Sequence, residues 1–214
     1  MLELKNLIII GTGGFALEVY EHAQNSLGYG SEYIIKGFIE GNIPCDYEKY
    51  KTLPAKVFGN CLDYKIEKDD IFMIAIADPC VKETITNIIL NKGGEFINLI
   101  HNTAVVSKHA KLGKGIFLGA FTIVTGDAII DDFVMINTYS GISHGCKIGA
   151  YSSVMGHVGI NGNTIIGHHT YWGSGARCLP ECKIGDYAKI GAASLALKKV
   201  KDNSTVFGVP AKYI

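Results

Sequence analysis

Proline is scarce in this chain, five residues of 214, and tryptophan occurs once. So little proline excludes a collagen-like array or a Pro-rich linker. Neither charge sign is in excess, since Lys plus Arg and Asp plus Glu both number 20. Non-specific binding to nucleic acid or to an anionic membrane surface needs a basic surplus that is missing here. No apolar run approaches the roughly 20 residues of a membrane-spanning helix. No CxxC occurs among the six cysteines at 45, 61, 80, 146, 178 and 182, and the closest pair, Cys178 and Cys182, lies four apart. The apolar LIII near the start is only four residues long and runs straight into GTGG, unlike a signal peptide. We therefore expect a reduced, cytoplasmic protein whose cysteines are small core fillers.

Glycine is what the chain has in plenty, 26 residues. In a hydrophobic chain with no Gly-X-Y period, that points to many tight turns. The length allows one or two domains with a sizeable core.

The first hundred residues alternate strand and helix patterns. LIII (7–10), YIIKGFIE (33–40), IFMIAIAD (71–78) and EFINLI (95–100) read as strands. A helix opens from GTGGFALEV and ends near Gly28, and a second begins at PCVKET and closes at Gly93 and Gly94. The alternation predicts a short parallel sheet. Near Ala104 the period changes. Every sixth residue from Val106 to Ile190 is apolar, fifteen positions without a slip. The residue two before each is mostly small, as at Ala128, Ser140 and Cys146, and the residue after is often Gly, Asp or Asn. This is a hexapeptide repeat. The aliphatic residue points inward, the small one fits the tapered corner, and Gly, Asn or Asp tolerates the turn. Three hexads make one triangular coil, so fifteen predict about five coils. The boundaries are set at 1–102 for the α/β unit and 103–214 for the repeat. After Ala196 the pattern fades into what reads as a polar turn and an extended tail.

Several residues suit chemistry. His144, in ISHGCKIG, sits two past an inward Ile and should lie outside the prism. An imidazole titrates near 6.5 and can accept a proton at neutral pH, but an exposed corner histidine is equally compatible with the repeat. His157, His168 and His169 raise a metal reading. Two histidines share a column only when they differ by a multiple of eighteen, and the separations of 13, 24 and 25 from His144 do not, so no metal is expected. Gly11, Gly13 and Gly14 form a Gly-rich loop at a helix start, where a phosphate can approach, though a structural tight turn explains them too. A full dinucleotide fold needs two halves, and the α/β unit is too short for that, which favours one nucleotide. Glu40 and Asp78 end the second and third strands at the edge where ligands bind, or are solvated loop carboxylates. Trp172 occupies an inward position and is assigned to the core. Lys198, Lys199 and Lys201 read as a solvated tail or as partners for phosphate.

Taken together, GTGGFA (11–16), GFIEG (37–41), IAIAD (74–78), INTYSGISHGCKIG (136–149), NGNTIIG (161–167) and GVPAK (208–212) resemble one family. They are similar to the hexapeptide-repeat acyltransferases of the sialic-acid O-acetyltransferase-like and bacillosamine/perosamine N-acetyltransferase-like group, along nearly the whole chain. The resemblance implies a left-handed parallel β-helix, a departure from the right-handed crossover rule, following the α/β domain. It implies a homotrimer with acetyl-CoA in the groove between prisms and a nucleotide-linked 4-amino-4,6-dideoxy sugar held by the α/β domain. It assigns His144 as general base. It places Gly11, Gly13, Gly14, Phe15, Glu40, Asp78 and Asn137 with the sugar nucleotide, and Ser153, Gly162, Ser174, Ala192 and Lys199 with acetyl-CoA; the amide of Gly162 is the expected oxyanion donor. The chain departs from the family pattern at four points. Gly145 stands where an acidic residue follows the histidine, Ser153 where a second histidine contacts CoA, and Phe15-Ala16 in the Gly loop. Glu40-Gly41 replaces an acidic pair. Transfer to a sugar hydroxyl, as in sialic-acid O-acetylation, uses the same apparatus, and a non-catalytic scaffold or sugar-nucleotide-binding subunit is the reading of a different class.

Overall fold

The computed structural model describes residues 4–41 and 53–214. The N-terminal unit holds β1 (Lys5–Ile10), α1 (Gly14–Gln24), β2 (Tyr33–Glu40), β3 (Val57–Asn60), β4 (Asp70–Ile74), α2 (Pro79–Asn91) and β5 (Glu95–Phe96). Its parallel sheet runs β3-β2-β1-β4-β5. β1 is fully buried over Leu7–Ile10, as expected of a central parallel strand covered on both faces. The order reverses between β1 and β4, and at such a switch point the loops diverge and leave a crevice at the carboxyl ends of the strands. β3 has no counterpart in the sequence reading, because four half-buried edge residues including Gly59 give neither alternation nor a solid apolar run. The expected single strand at 95–100 is two. Glu95–Phe96 joins this sheet, while Leu99–Ile100 pairs with Phe117–Leu118 in the prism.

The rest is a parallel β-helix, left-handed as the resemblance implied. The first face stacks six strands from Val105–Val106 to Leu195–Ala196, and the second stacks six from Lys111–Leu112 to Lys199–Val200. The third stacks seven parallel strands from Leu99–Ile100 to Thr205–Phe207 and is closed by antiparallel Lys212–Tyr213. The prism thus has six full coils, about 29 Å at the usual strand spacing, where fifteen hexads predicted about five. The extra coil comes from both ends. Ile100 belongs to the inward series, and 199–207 is a further turn rather than a tail. Cys178 pairs with Ala196 at a step of eighteen, but Ile184 pairs with Val200 at sixteen, so a corner shortened by two residues hides the last turn from a six-residue count.

The inward residues form one continuous core with Trp172 fully buried at its centre. The glycines that follow them serve a different purpose from the one expected. Gly113, Gly149, Gly167 and Gly185 are not among the positive-φ residues, yet a Cβ on each would lie 2.1 to 2.5 Å from the next coil. They permit close stacking rather than a turn. The left-handed corner positions fall two residues later and are held largely by aromatic residues: Phe121, Tyr139 and His157 on one edge, Phe133, Tyr151, His169 and Tyr187 on another. Each such residue costs roughly 1–2 kcal/mol in backbone energy. The rings stack coil upon coil with centroids 4.8 to 5.2 Å apart, which offsets part of that cost.

Cys61, Cys146, Cys178 and Cys182 are buried fillers as expected, whereas Cys80 is exposed on the first turn of α2; Cys45 lies outside the described residues. Among the described residues no helix is long and apolar enough to cross a membrane.

The N-terminal unit packs on the third face. Phe117 and Met135 of that face join Leu7, Ile9 and Val19 in one core. Lys82 of α2 is 1% exposed, and its Nζ donates to Ser153 Oγ at 2.8 Å and to the Ser152 carbonyl at 3.2 Å. Burial pushes the Lys82 amine down to about 7, against the pull of Asp78. Between about pH 7 and the ordinary lysine value near 10.4, the unfolded chain holds a proton that the folded chain has released, so stability must rise with pH across that window. The slope is at most one proton, about 1.4 kcal/mol per pH unit. Denaturant titrations at several pH values should show this rise in the wild-type protein and lose it in Lys82→Met.

Candidate active site

A cavity of about 290 Å³ opens at the switch point. Gly11, Thr12 and Gly13 supply its floor after β1, Glu40 its wall at the end of β2, and Ala75, Ile76 and Asp78 its far side after β4. The loop has reasons to be glycine. Gly11 has φ +122° and a Cβ there would meet the Ala75 carbonyl at 2.9 Å, while Gly13 and Gly14 face open space. Gly13 caps α1 without a side-chain hydrogen bond, and with Ala16 N–H donating to the Gly13 carbonyl at 3.0 Å, the Gly14 and Phe15 N–H groups are those left for a ligand. Glu40 is 6% exposed and accepts a hydrogen bond from Thr12 Oγ1. A buried carboxylate at the end of the second strand is an acceptor for ligand hydroxyl or N–H groups. Asp78 turns out to be the N-cap of α2, with Oδ1 accepting from Cys80 N–H at 3.0 Å and Val81 N–H at 2.9 Å.

Phe15 does not enter the cavity; its ring packs edge-on against Phe117 at 5.6 Å and helps seat α1 on the prism. Asn137 sits on the edge between the third and first faces. Its Oδ1 accepts from Thr138 N–H at 2.7 Å and its Nδ2 donates to Glu18 of α1 at 3.3 Å. Ser174 and Ala192 are exposed on that same edge, one above the other. Lys199 is exposed on the second face. Ser153 is fully buried beneath Lys82 and cannot meet a cofactor at the surface, which corrects the expectation for that residue.

His144 occupies the edge between the first and second faces, opposite the face that carries the N-terminal unit. The residues one coil before and one coil after it are both glycine. A Cβ on Gly126 would fall 2.6 Å from His144 Cβ, and a Cβ on Gly162 would fall 2.8 Å from both Cε1 and Nε2 of the ring. The imidazole therefore lies over Gly162 in a space that any other residue would fill. Asp127 Oδ1 accepts the Gly145 N–H at 2.8 Å and fixes the peptide that follows His144. That N–H first, and the Asp127 backbone next, hold the Asp127 carboxyl below the usual range, with His144 and His109 adding to the effect. An acidic side chain, absent at 145, thus stands one coil below it at Asp127, eighteen residues upstream. Beside His144 a shallow trough of about 220 Å³ runs over Gly141, Ser143, Gly159 and Asn161, where two outward positions lack side chains. Cys146, two residues from His144, is no competing nucleophile: its Sγ is buried against the Asn161 carbonyl at 3.2 Å, and burial pushes its thiol up. Among the described residues no three His, Cys, Asp or Glu converge as a metal site would need.

Along 99 to 100% of its length the chain superposes on two solved acyltransferases. The acetyltransferase domain of PglB from Neisseria gonorrhoeae, in complex with acetyl coenzyme A, matches with a TM-score of 0.87 at 25% identity, covering 99% of this chain and 100% of that one. PerB from Caulobacter crescentus, in complex with CoA and GDP-perosamine, matches with a TM-score of 0.80 at 26% identity, covering 100% and 99%. The GDP-perosamine N-acetyltransferase of Escherichia coli O157:H7 is 32% identical over 105 residues, 49% of this chain and 48% of that protein. Along its whole length the chain is thus similar to solved sugar-nucleotide acetyltransferases of the hexapeptide-repeat group. No protein-family model matches it. The chain spans about half or less of the length of the curated relatives it matches.

The Gly-loop cavity holds the buried Glu40 carboxylate, to which Thr12 Oγ1 donates. Thr12→Val preserves shape and removes the donor to a buried carboxylate. The expected loss is about 1–3 kcal/mol of stability, measurable as a lower urea midpoint with unchanged slope.

Proposed function

We propose that this protein transfers an acetyl group from acetyl-CoA to the amine of a nucleotide-linked 4-amino-4,6-dideoxy sugar, with His144 as general base. The observation that carries this reading is the seat of His144 between two glycines of its column: Gly126 leaves room for its Cα and Cβ, and Gly162 leaves room for its ring, which a mere corner residue does not need. The nucleotide is assigned to the cavity floored by Gly11, Gly13 and Gly14 at the start of α1, with Glu40 as hydrogen-bond acceptor. The pantetheine arm of acetyl-CoA is assigned to the trough beside His144.

The chemistry needs one base. The sugar amine, as the free base, attacks the thioester carbonyl and His144 takes the proton it sheds. The C–N bond forms, the C–S bond breaks, and the departing thiolate recovers the proton from the imidazolium. With Cys146 buried, transfer is direct and no acyl-enzyme forms. Gly162 lies beneath the ring, so we assign it to seating the imidazole, with the oxyanion met by another donor.

Because His144 projects from the edge opposite the N-terminal unit, a chain cannot place its own nucleotide cavity at its own base. We infer a closed trimer in which each site joins the cavity of one subunit to the histidine of the next.

Thiol release from acetyl-CoA should be followed with GDP-, UDP- and dTDP-linked 4-amino sugars and with sialic acids. One amino sugar is expected to be turned over, with His144→Ala lowering kcat by 10²-fold or more, on the order of a lost general base. Gly162→Ala, which intrudes on the ring without straining φ, should lower kcat by about 10- to 100-fold with little change in melting temperature. Turnover of sialic acid alone would reassign the reaction to O-acetylation, and full activity of His144→Ala would return His144 to the role of a corner residue. Mixing His144→Ala chains with Gly13→Asp chains, each inactive alone, should restore a fraction of activity on reassembly; no restoration would place both halves of the site on one subunit.

A further inference from the structure

A chain of four side chains crosses from the N-terminal unit to the prism, outside the site described above. His169 Nε2 lies 3.1 Å from Glu83 Oε2 on α2. His169 Nδ1 lies 2.8 Å from His168 Nδ1. His168 Nε2 lies 3.0 Å from Asp186 Oδ2 on the next coil, and Asp186 Oδ1 accepts the His168 N–H at 3.0 Å. His169 is 7% exposed, with its ring held between Tyr151 at 5.1 Å and Tyr187 at 4.8 Å.

The protons on this chain can be counted. Carboxylates only accept, so each Nε2 carries a hydrogen. Two bare Nδ1 lone pairs would repel at 2.8 Å, and two Nδ1–H groups would collide. One hydrogen must sit between them. Four ring nitrogens therefore hold three hydrogens, and the two rings share a single positive charge between two carboxylates. Removing that proton breaks the middle contact, or forces a tautomer that turns a lone pair onto a carboxylate. Adding a fourth proton breaks the middle contact as well. All three links coexist in one protonation state only.

We propose that His168 and His169 form a single-proton clasp that positions α2 on the prism. The consequence for ligands lies at the same end of the helix, where Glu83 stands two residues after Val81. Its first residues contribute Asp78 and Val81 to the Gly-loop cavity, so a loosened α2 weakens the nucleotide site; this last step rests on the nucleotide reading, and the clasp itself does not. The other titratable groups around the pair are Asp78 at the N-cap of α2 and Cys80 within it, Tyr187 and Lys189 of the prism in the same cavity, Tyr151 stacked on His169 and acted on by Glu83 and Asp132, and Asp202, which accepts from the Asp186 N–H. Lys82, the second anchor of α2, titrates in wild type and variants alike, so the clasp is read from their difference.

The test uses the full chain carrying ¹⁵N-histidine, from about pH 5 to about pH 9. Ring-nitrogen spectra are expected to show both Nε2 atoms protonated and one proton shared between the Nδ1 atoms over an intermediate window. Amide hydrogen exchange along α2, corrected for intrinsic rates, should show greatest protection in that same window. His168→Gln should remove the pH-dependent part and lower protection by about tenfold, as for a lost hydrogen bond to a charged group. Glu83→Gln keeps an acceptor but removes its charge, and should narrow the window from its basic side. GDP binding measured across the same range should follow α2 protection. Two plain neutral rings at every pH, or α2 protection indifferent to His168→Gln, would overturn the clasp. Clasp behaviour without binding of GDP, UDP or dTDP would leave it standing and remove the nucleotide reading instead.

Discussion

The prism depends on one constraint: each residue hydrogen-bonds and packs against the residue one coil away, eighteen positions on. The parallel pairings from Leu99–Phe117 to Cys178–Ala196 hold that step without a bulge. Once the step is fixed, every outward and inward position becomes a column. The inward columns are aliphatic and form the core. The edge columns need only a backbone that can turn, and chemistry is free to accumulate there.

The three edges have diverged accordingly. One carries Phe121, Tyr139 and His157 in a stack next to Asn137, where α1 docks. Another carries Phe133, Tyr151, His169 and Tyr187, where α2 docks through Lys82 and Glu83. On both, a ring compensates the left-handed backbone of its neighbour. The remaining edge carries Asp127, Gly145, Asn163 and Glu181 at the matching step in place of a ring stack, and one position earlier Gly126 and Gly162 flank His144. The same device that stabilises two edges has been given up on the third, as expected where function takes precedence over packing.

Much of this was legible in the sequence because a strict period is hard to produce by accident. The inward series, the parallel α/β unit and the Gly loop followed from spacing and composition. The aromatic columns did not, since the eighteen-residue step was applied between histidines and not from each histidine to any ring. That step from His157 and His169 reaches Tyr139 and Tyr151. The same step from His144 reaches glycine on both sides, which is the signal of the candidate site. The family pattern did not reveal Asp127, because its relation to Gly145 crosses a coil. β3 was too short and too mixed to show a period, and Asp78 looked like a ligand residue because an N-cap and a strand-end carboxylate occupy the same place in sequence.

The last strand, Lys212–Tyr213, runs antiparallel to Thr205–Phe207, unlike every other pairing in the prism. A stack of identical parallel turns offers the same hydrogen-bonding rim at each level, and a rim of that kind can template another molecule as readily as its own next turn. Reversing one strand breaks the match: its donors and acceptors no longer fall on the lattice that a further coil would need. On the third face, Lys212–Tyr213 thus occupies the rim that the last parallel turn would otherwise present.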